Sequence, residues 1–388
     1  MVKDFEYLKD SDIYLDNACQ SLRPSPVIDA LVRYYKEYNS CGERVKYKWG
    51  LQTDELVHET RDLVLKYLNL SKKDYFVSFT LNTTYGINLV LNQIKKEYVS
   101  KVMTSDIEHN SPFLSTIAYA KKNNVIREVI HRENDGSINL DKYDFKNALV
   151  VVNSASNIDG RKLNNINELI KAVHKANGII IIDAAQSMAH GVDLLSKNNA
   201  DVICFSAHKM YAPTLGVMVV RKDFVKKIDT TFIGGGMVDD VDLETYKLSF
   251  PNIEHIHTIF EAGLQAFGEI IALGAAIKWL MSLKKEDYKR LEDNTLKLFD
   301  YLNSKESVVL INKVPNSTIS FYVKGIDSHL LGRALADYQI MARTGYFCCH
   351  YYLDHVKHYP PLIRFSLGYH NSLEDIKKVI DILERILK

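Results

Sequence analysis

The sequence predicts an α/β protein: a large domain with a mostly parallel sheet flanked by helices, then a smaller α+β C-terminal domain. Three observations carry this. Short apolar runs rich in β-branched residues alternate with helix-length segments from about 75 to 220. Those runs are continuous rather than alternating, as strands covered on both faces are. Beyond 263 the alternation gives way to two long helices and then a mixture of short strands and helices. At 388 residues the chain exceeds one small core. The expected division is an N-terminal segment 1–25 packing with the small domain, a large domain 26–262 and a small domain 263–388.

In chain order, Ile13-Tyr14-Leu15-Asp16-Asn17-Ala18 reads as a short strand ending in a turn. Ser25-Pro26 opens a helix to about 38, where proline's missing N–H costs little. A second helix covers 53–68. A strand at 75–79 runs into Thr80-Leu81-Asn82-Thr83-Thr84, and a helix spans 85–94. Two threonines at a helix head fit an N-cap. They equally suit anion binding, since free N–H groups and the helix dipole converge there. Strands follow at 101–104, 124–129, 148–152 and 178–182, the last ending on Asp183, with helices after Pro112 and over 166–176. Two more strands, 201–205 and 216–220, flank Ser206-Ala207-His208-Lys209-Met210-Tyr211. Gly234-Gly235-Gly236 begins an irregular polar stretch to about 260. Helices are expected over 264–283, 286–302, 328–337 and 373–387, with strands near 308–311, 318–323 and 362–366.

Composition narrows the function classes. Net charge is +1, so no polyanionic partner such as a nucleic acid is implied. No apolar run is long enough to span a bilayer, and Met1-Val2-Lys3-Asp4-Phe5 lacks a signal-peptide core, so a cytoplasmic location is expected. Five cysteines at scattered positions form neither a disulfide framework nor a zinc motif, and no metal is expected. Cys204 falls in a core strand and reads as apolar filler. Cys348 and Cys349 fall in a polar, aromatic loop.

The chemistry centres on Lys209. Alone, this turn also fits a solvated loop lysine. However, Thr84, His109, Asn157, Asp183 and Lys209 all lie just beyond predicted strand ends, where ligands gather in parallel sheets. Lysine amines form Schiff bases with carbonyl compounds. The aldehyde cofactor that fits is pyridoxal 5'-phosphate, an electron sink for amino-acid α carbons. Its ring nitrogen needs a carboxylate, which Asp183 supplies. His109 suits the ring face. Gln186 or Asn157 suits the phenolic oxygen. Thr83, Thr84, Ser206 and His208 suit the phosphate.

These residues carry a resemblance. Tyr14-Leu15-Asp16-Asn17-Ala18, Asn82-Thr83-Thr84-Tyr85-Gly86, Ile107-Glu108-His109, Asp183-Ala184-Ala185-Gln186-Ser187 and Ser206-Ala207-His208-Lys209 resemble the class V, fold-type I family of pyridoxal phosphate enzymes. Within it, the chain is similar to the cysteine desulfurases of the Suf-type branch over nearly its whole length. The resemblance implies a large sheet of the seven-stranded type and these roles. Lys209 is the Schiff-base lysine and proton shuttle, Asp183 pairs with the ring nitrogen, and His109 stacks on the ring. Gln186 and Asn157 contact the phenolic-oxygen side, while Thr84, Ser206 and His208 hold the phosphate. Arg343-Thr344-Gly345-Tyr346-Phe347-Cys348 resembles the segment whose cysteine attacks the substrate sulfur, and Arg364 matches the arginine that grips the substrate carboxylate. The implied reaction converts L-cysteine to L-alanine with a persulfide on Cys348. A sulfur-acceptor protein, such as an iron–sulfur cluster assembly scaffold, and a homodimer are implied too. His350 and His355 are candidates to support the thiolate.

Departures from the family pattern bear on the substrate. Leu264 stands where a threonine usually reaches the neighbouring subunit's phosphate. Tyr85 replaces a usual acidic residue. Cys41-Gly42-Glu43-Arg44-Val45-Lys46-Tyr47-Lys48-Trp49 differs from the common histidine-bearing segment. Cys349 offers sulfur relay, a redox partner or no role. Other class V activities remain open: cysteine or selenocysteine lyase, kynureninase-like hydrolase and aminotransferase. So does a non-catalytic binding role, against which Lys209, Asp183 and Arg364 together argue.

Overall fold

The computed structural model describes residues 4–42, 45–190, 192–196 and 198–387. Residues 1–3 of the N-terminal reading, and Glu43 and Arg44 of the 41–49 segment, lie outside these described residues. The chain begins with β1 (Ile13–Tyr14), α1 (Ser25–Glu37) and α2 (Lys48–Tyr67). An alternating run follows: β2 (Tyr75–Thr80), α3 (Thr83–Gln93), β3 (Lys101–Ser105), α4 (Asn110–Asn123), β4 (Ile126–Ile130), β5 (Ala148–Asn153), α5 (Ile166–Lys175) and β6 (Ile179–Asp183). β7 (Val202–Ser206) and β8 (Gly216–Arg221) complete a seven-stranded sheet in the order β2-β8-β7-β6-β5-β3-β4. Every neighbouring pair is parallel except those made by β8, which runs against both β2 and β7. The carboxyl ends of β2, β3, β5, β6 and β7 therefore share one edge.

Continuous apolar runs are explained by burial on both faces. On β5, Val150 and Val152 join the core beneath α1, α2 and α6 (Phe267–Ser282), while Leu149 and Val151 join the core beneath α3 and α4. On β6, Ile180 and Ile182 face one way and Ile179 and Ile181 the other. All eight are fully buried.

A second sheet is antiparallel. It comprises β11 (Val308–Leu310), β12 (Thr318–Val323), β15 (Leu362–Ser366) and β14 (Arg343–Gly345), in that order. α7 (Lys285–Asn303) and α8 (Ser328–Asp337) pack on it, and α9 (Leu373–Ile386) packs on α7. The first strand joins this part of the molecule. β1 pairs in parallel with β13 (Ile340–Met341), and Asp16 bridges to Ser366.

Several boundaries differ from the sequence reading. α3 begins at Thr83 rather than at 85, because Asn82 takes the N-cap and accepts from the Tyr85 N–H at 2.9 Å. The threonines thus lie in the first turn and are not caps. α2 begins at Lys48, not 53. α6 begins at Phe267, not 264; Ala266 takes the N-cap in non-helical backbone, with φ −78° and ψ 72°. The stretch expected to be irregular holds a hairpin of β9 (Val238–Val241) and β10 (Tyr246–Leu248). Asp242 nucleates its turn by accepting from the N–H groups of Glu244 and Thr245. Short strands β13 and β14 escape sequence reading altogether.

One buried ion pair ties the two halves of the large sheet's surroundings. Arg61 on α2 meets Glu261 through two bonds of 2.8 and 2.7 Å, and Glu261 also accepts from the Phe79 N–H at 2.6 Å. The guanidinium lies 4.6 Å above the Phe79 ring. Glu261→Ala strands a buried guanidinium and is expected to destabilise the fold by about 3–5 kcal/mol. Denaturant unfolding measures this; a midpoint equal to wild type would show the pair to be dispensable.

Candidate active site

A cavity of about 310 Å³ opens at the shared edge of the strand ends. Its lining includes Thr83, Thr84, His109, Asn157, Asp183, Gln186, Ser206, His208, Lys209, Cys348 and Arg364. These eleven residues thus line one space, drawn from seven separate stretches of chain, whereas His350 and His355 are not part of its lining. A larger hollow of about 1030 Å³ between α2 and the 249–257 segment holds none of them.

Lys209 occupies a single 3-10 turn, Ala207–Lys209, between β7 and β8. The N-terminal segment clamps this turn. Both the Ser21 N–H and its hydroxyl donate to the His208 carbonyl (2.9 and 3.0 Å), and the Tyr211 N–H donates to Ser21 Oγ at 2.6 Å. Burial lowers the amine's pKa from the ordinary lysine value; Asp183 opposes this shift and Arg364 adds to it. Asp183 ends β6, and its Oδ1 accepts from the Ala185 N–H at 2.9 Å. Burial raises its carboxyl pKa, while that N–H and Lys209 pull it back.

His109 caps α4. Its Nδ1 accepts from the Ser111 N–H at 3.0 Å, so that nitrogen is unprotonated and the neutral ring carries its proton on Nε2. Burial, with Lys209 and Arg364 nearby, pushes its pKa down to about 3. Ser111 Oγ lies 2.9 Å from the same nitrogen and 2.6 Å from Thr84 Oγ1. Ser111 also lines the cavity but was missed from sequence; its place two residues after His109, in the first turn of a helix, was the available signal.

The head of α3 is a cluster of donors. Ser206 Oγ accepts from the Thr83 N–H at 2.9 Å and lies 2.6 Å from Thr83 Oγ1. Gly216 allows this approach: a Cβ there would stand 2.2 Å from Thr80 Oγ1 and 2.5 Å from the Asn82 nitrogen. His208 has a buried Nδ1 with no hydrogen-bond partner, and burial, then Lys209 and Arg23, push its pKa down to about 4.

Arg364 is buried on β15. It donates from Nη1 to the Asn157 carbonyl (2.9 Å) and from Nη2 to Asp16 (3.1 Å), and its plane lies 4.8 Å from the Phe347 ring centre. Its Nε is buried without a partner. Gln186 donates from Nε2 to the Ala18 carbonyl at 2.8 Å. Asn157 spends both ends of its side chain on the 347–349 loop, donating to the Phe347 carbonyl (2.7 Å) and accepting from Cys349 (3.0 Å).

The adjacent cysteines differ sharply. Cys348 is exposed at the cavity mouth, in left-handed backbone with φ +58°, and its carbonyl accepts from the Asn110 N–H at 2.6 Å. Cys349 is fully buried, and burial raises its thiol pKa. Of the histidines noted beside them, His350 contacts Asn110 (3.3 Å), whereas His355 stacks on Tyr351 at 6.4 Å. Cys19, unassigned from sequence, lines the cavity as well. Cys204 is buried and inert, its thiol pushed up by burial.

The donor set suits a phosphorylated aromatic aldehyde. A carboxylate lies at the end of a central strand, an amine is held by a turn between strands, and a neutral imidazole lies over the cavity. Hydroxyls, a helix N-terminus and an orphaned histidine nitrogen offer donors for a phosphate. No group of three or more His, Cys, Asp or Glu among the described residues could hold a metal. No helix among them is long and apolar enough to cross a membrane.

A doubly covered, mostly parallel sheet with a lysine turn and a strand-end aspartate at its carboxyl edge defines a fold-type I enzyme scaffold. The chain belongs to the aminotransferase class-V family, a family of pyridoxal phosphate enzymes, whose model matches residues 13–379. It is 30% identical to a probable cysteine desulfurase of Pyrococcus abyssi, covering 97% of this chain and 94% of that relative. It superposes on the apo structure of a cysteine desulfurase from Thermococcus onnurineus NA1 with a TM-score of 0.85, at 27% identity, covering 100% and 98% of the two chains. The cysteine desulfurase CsdA of Escherichia coli shares the fold with a TM-score of 0.87, at 20% identity, over 99% and 96% of the chains.

Between the ordinary value of 6.5 and the native values of about 3 and 4, the unfolded chain binds protons that folded His109 and His208 do not. Stability from these groups is therefore complete above about pH 6.5 and falls as the pH drops towards the native values. Ring ¹⁵N shifts are expected to show both histidines neutral at pH 5, with His109 as the Nε2–H tautomer. A midpoint near 6.5 for either ring would contradict its enclosure.

Proposed function

We propose that the chain is a pyridoxal 5'-phosphate-dependent cysteine desulfurase that converts L-cysteine to L-alanine and carries the sulfur as a persulfide on Cys348. One observation carries this reading: an exposed thiol lines the same cavity as the Lys209 amine, the Asp183 carboxylate and the Arg364 guanidinium. The names of the Pyrococcus and Thermococcus relatives support it. A homodimer is part of the proposal, as the resemblance to fold-type I enzymes implies. Leu264 has no hydrogen-bonding group to offer a neighbouring phosphate. An acceptor protein then takes the sulfur from Cys348.

Lys209 holds the cofactor aldehyde and moves the proton at the substrate's α carbon; its lowered pKa leaves more of the amine neutral for both. Asp183 would pair with the ring nitrogen. His109, held neutral, would pack on the ring without adding positive charge. Thr83, Thr84, Ser206 and His208 would hold the phosphate at the head of α3. Gln186 would serve the phenolic oxygen, and Asn157 acts on the loop that carries Cys348. When bound, the cofactor supplies an electron sink for the substrate's α carbon. Arg364 receives the substrate carboxylate with the N–H groups left over from Asp16 and Asn157. Cys348 acts as thiolate on the substrate sulfur: an S–S bond forms on Cys348 as the Cβ–S bond breaks.

The purified protein is expected to be yellow, with borohydride fixing the cofactor on Lys209. Lys209→Ala is expected to lower alanine formation by about 10²–10⁴-fold. Cys348→Ser is expected to keep the colour and lose sulfide and alanine production. A colourless protein that takes up no pyridoxal phosphate would sink this reading. Full turnover by Cys348→Ser would point instead to another class V reaction.

A further inference from the structure

The residue after the exposed thiol has a task of its own. Cys349 packs with Ile107, Ile158, Tyr352, Leu353 and Leu362 and is fully buried. Its backbone is fixed at both ends: its N–H donates to the Tyr346 carbonyl (2.8 Å), and its carbonyl accepts from the Leu353 N–H (3.0 Å). Its Sγ lies 3.0 Å from Asn157 Oδ1. The orientation of that carboxamide follows from chemistry. Its other end is 2.7 Å from the Phe347 carbonyl oxygen, so that end must be the donating nitrogen. The oxygen is left facing Cys349, and only an S–H can donate to it. Burial supports this, since it raises the thiol pKa and keeps the proton in place.

The hydrogen bond matters because of what Asn157 holds. Phe347 and Cys348 are consecutive non-glycine residues at φ +50° and +58°. L-residues disfavour this region, so the arrangement persists only where its surroundings enforce it. Three bonds enforce it here: the Cys349 N–H to the Tyr346 carbonyl closes the turn around the pair, Asn157 Nδ2 holds the Phe347 carbonyl, and the Asn110 N–H holds the Cys348 carbonyl. We propose that Cys349 is a positioning residue. Its buried S–H fixes the Asn157 carboxamide, the carboxamide holds the left-handed pair, and the pair presents the Cys348 thiol to the cavity. Cys349 is therefore a hydrogen-bond donor and not a second sulfur carrier. The inference rests on the reading of Cys348 as the sulfur acceptor within the site.

The test uses cofactor-loaded full-length protein and two readouts. One is alanine formation from cysteine, resolved into kcat and KM. The other is the rate of Cys348 alkylation by iodoacetamide without substrate, followed by peptide mass. Cys349→Ala is expected to lower kcat by about five- to tenfold, the scale of one buried hydrogen bond, with KM changed less than twofold. Cys348 alkylation is expected to change by a similar factor, and Cys349→Ser, which keeps a donor, to restore both readouts to within about twofold. After one turnover, the added sulfur is expected on Cys348 alone. Wild-type values for Cys349→Ala in both readouts overturn the proposal. So do equal losses in Cys349→Ala and Cys349→Ser, which would show packing to matter rather than the donor, and so does a persulfide on Cys349. If Cys349→Ala does not fold, Asn157→Asp replaces it by setting an acceptor against the Phe347 carbonyl; unchanged Cys348 alkylation there overturns the proposal too. Turnover by Cys348→Ser is a separate result: it removes the functional reading and this inference with it, whereas the Cys349 variants remove this inference alone.

Discussion

The cavity exists because one buried guanidinium is shared. Arg364 sits on the small sheet, yet its hydrogen bonds go to Asp16 of the N-terminal segment and to the backbone of Asn157 in the large part, and its face covers Phe347. Burial moves both charges towards neutrality: it raises Asp16 and lowers Arg364, and their attraction opposes both shifts. Such a pair gives modest net stability but sets geometry, since neither partner tolerates being left alone. Around it the three chain regions have one mutual arrangement, and the strand ends meet the loop that bears Cys348.

The sheet supplies the other half of the arrangement. Reversing β8 lets the chain return after β7 through a short link, and the link is where Lys209 sits. A parallel crossover would have needed a dozen or more residues and a helix. The amine is therefore anchored between a fully buried β7 and a β8 buried up to Arg221, and is clamped by Ser21 from outside. Asp183 lies one strand further on. Rigid backbone on both sides suits a group that must meet a flat ring repeatedly in one orientation.

Much of this was legible in the residues. Strands expected at 148–152, 178–182, 201–205 and 216–220 are found within one residue of those bounds, because β-branched runs buried on both faces leave few alternatives. The residues at their ends were legible for the same reason. β13 and β14 were not: at two and three residues they have no periodicity, and they exist only through β1 and β15, which are distant in sequence. The hairpin of β9 and β10 hid behind Asp239, Asp240 and Asp242, an acidic run that reads as loop. Within the site, sequence placed Asn157 in the cavity but not the partners of its carboxamide. Nor did it separate two neighbouring cysteines, whose opposite exposures follow from the chain turning at Cys348 into the bend that precedes residues 351–356.

The bond between Asp16 and Arg364 joins residues 348 positions apart. Contacts this remote close a loop of most of the chain, and their entropy must be met before they give anything back. The order of synthesis adds to this. Asp16 and the lysine turn leave the ribosome long before β15 is made, so the large sheet can form while the guanidinium that completes the cavity does not yet exist. During synthesis the pocket is thus completed only once β15 has been made, and a chain truncated before β15 would lack Arg364 and have no finished pocket.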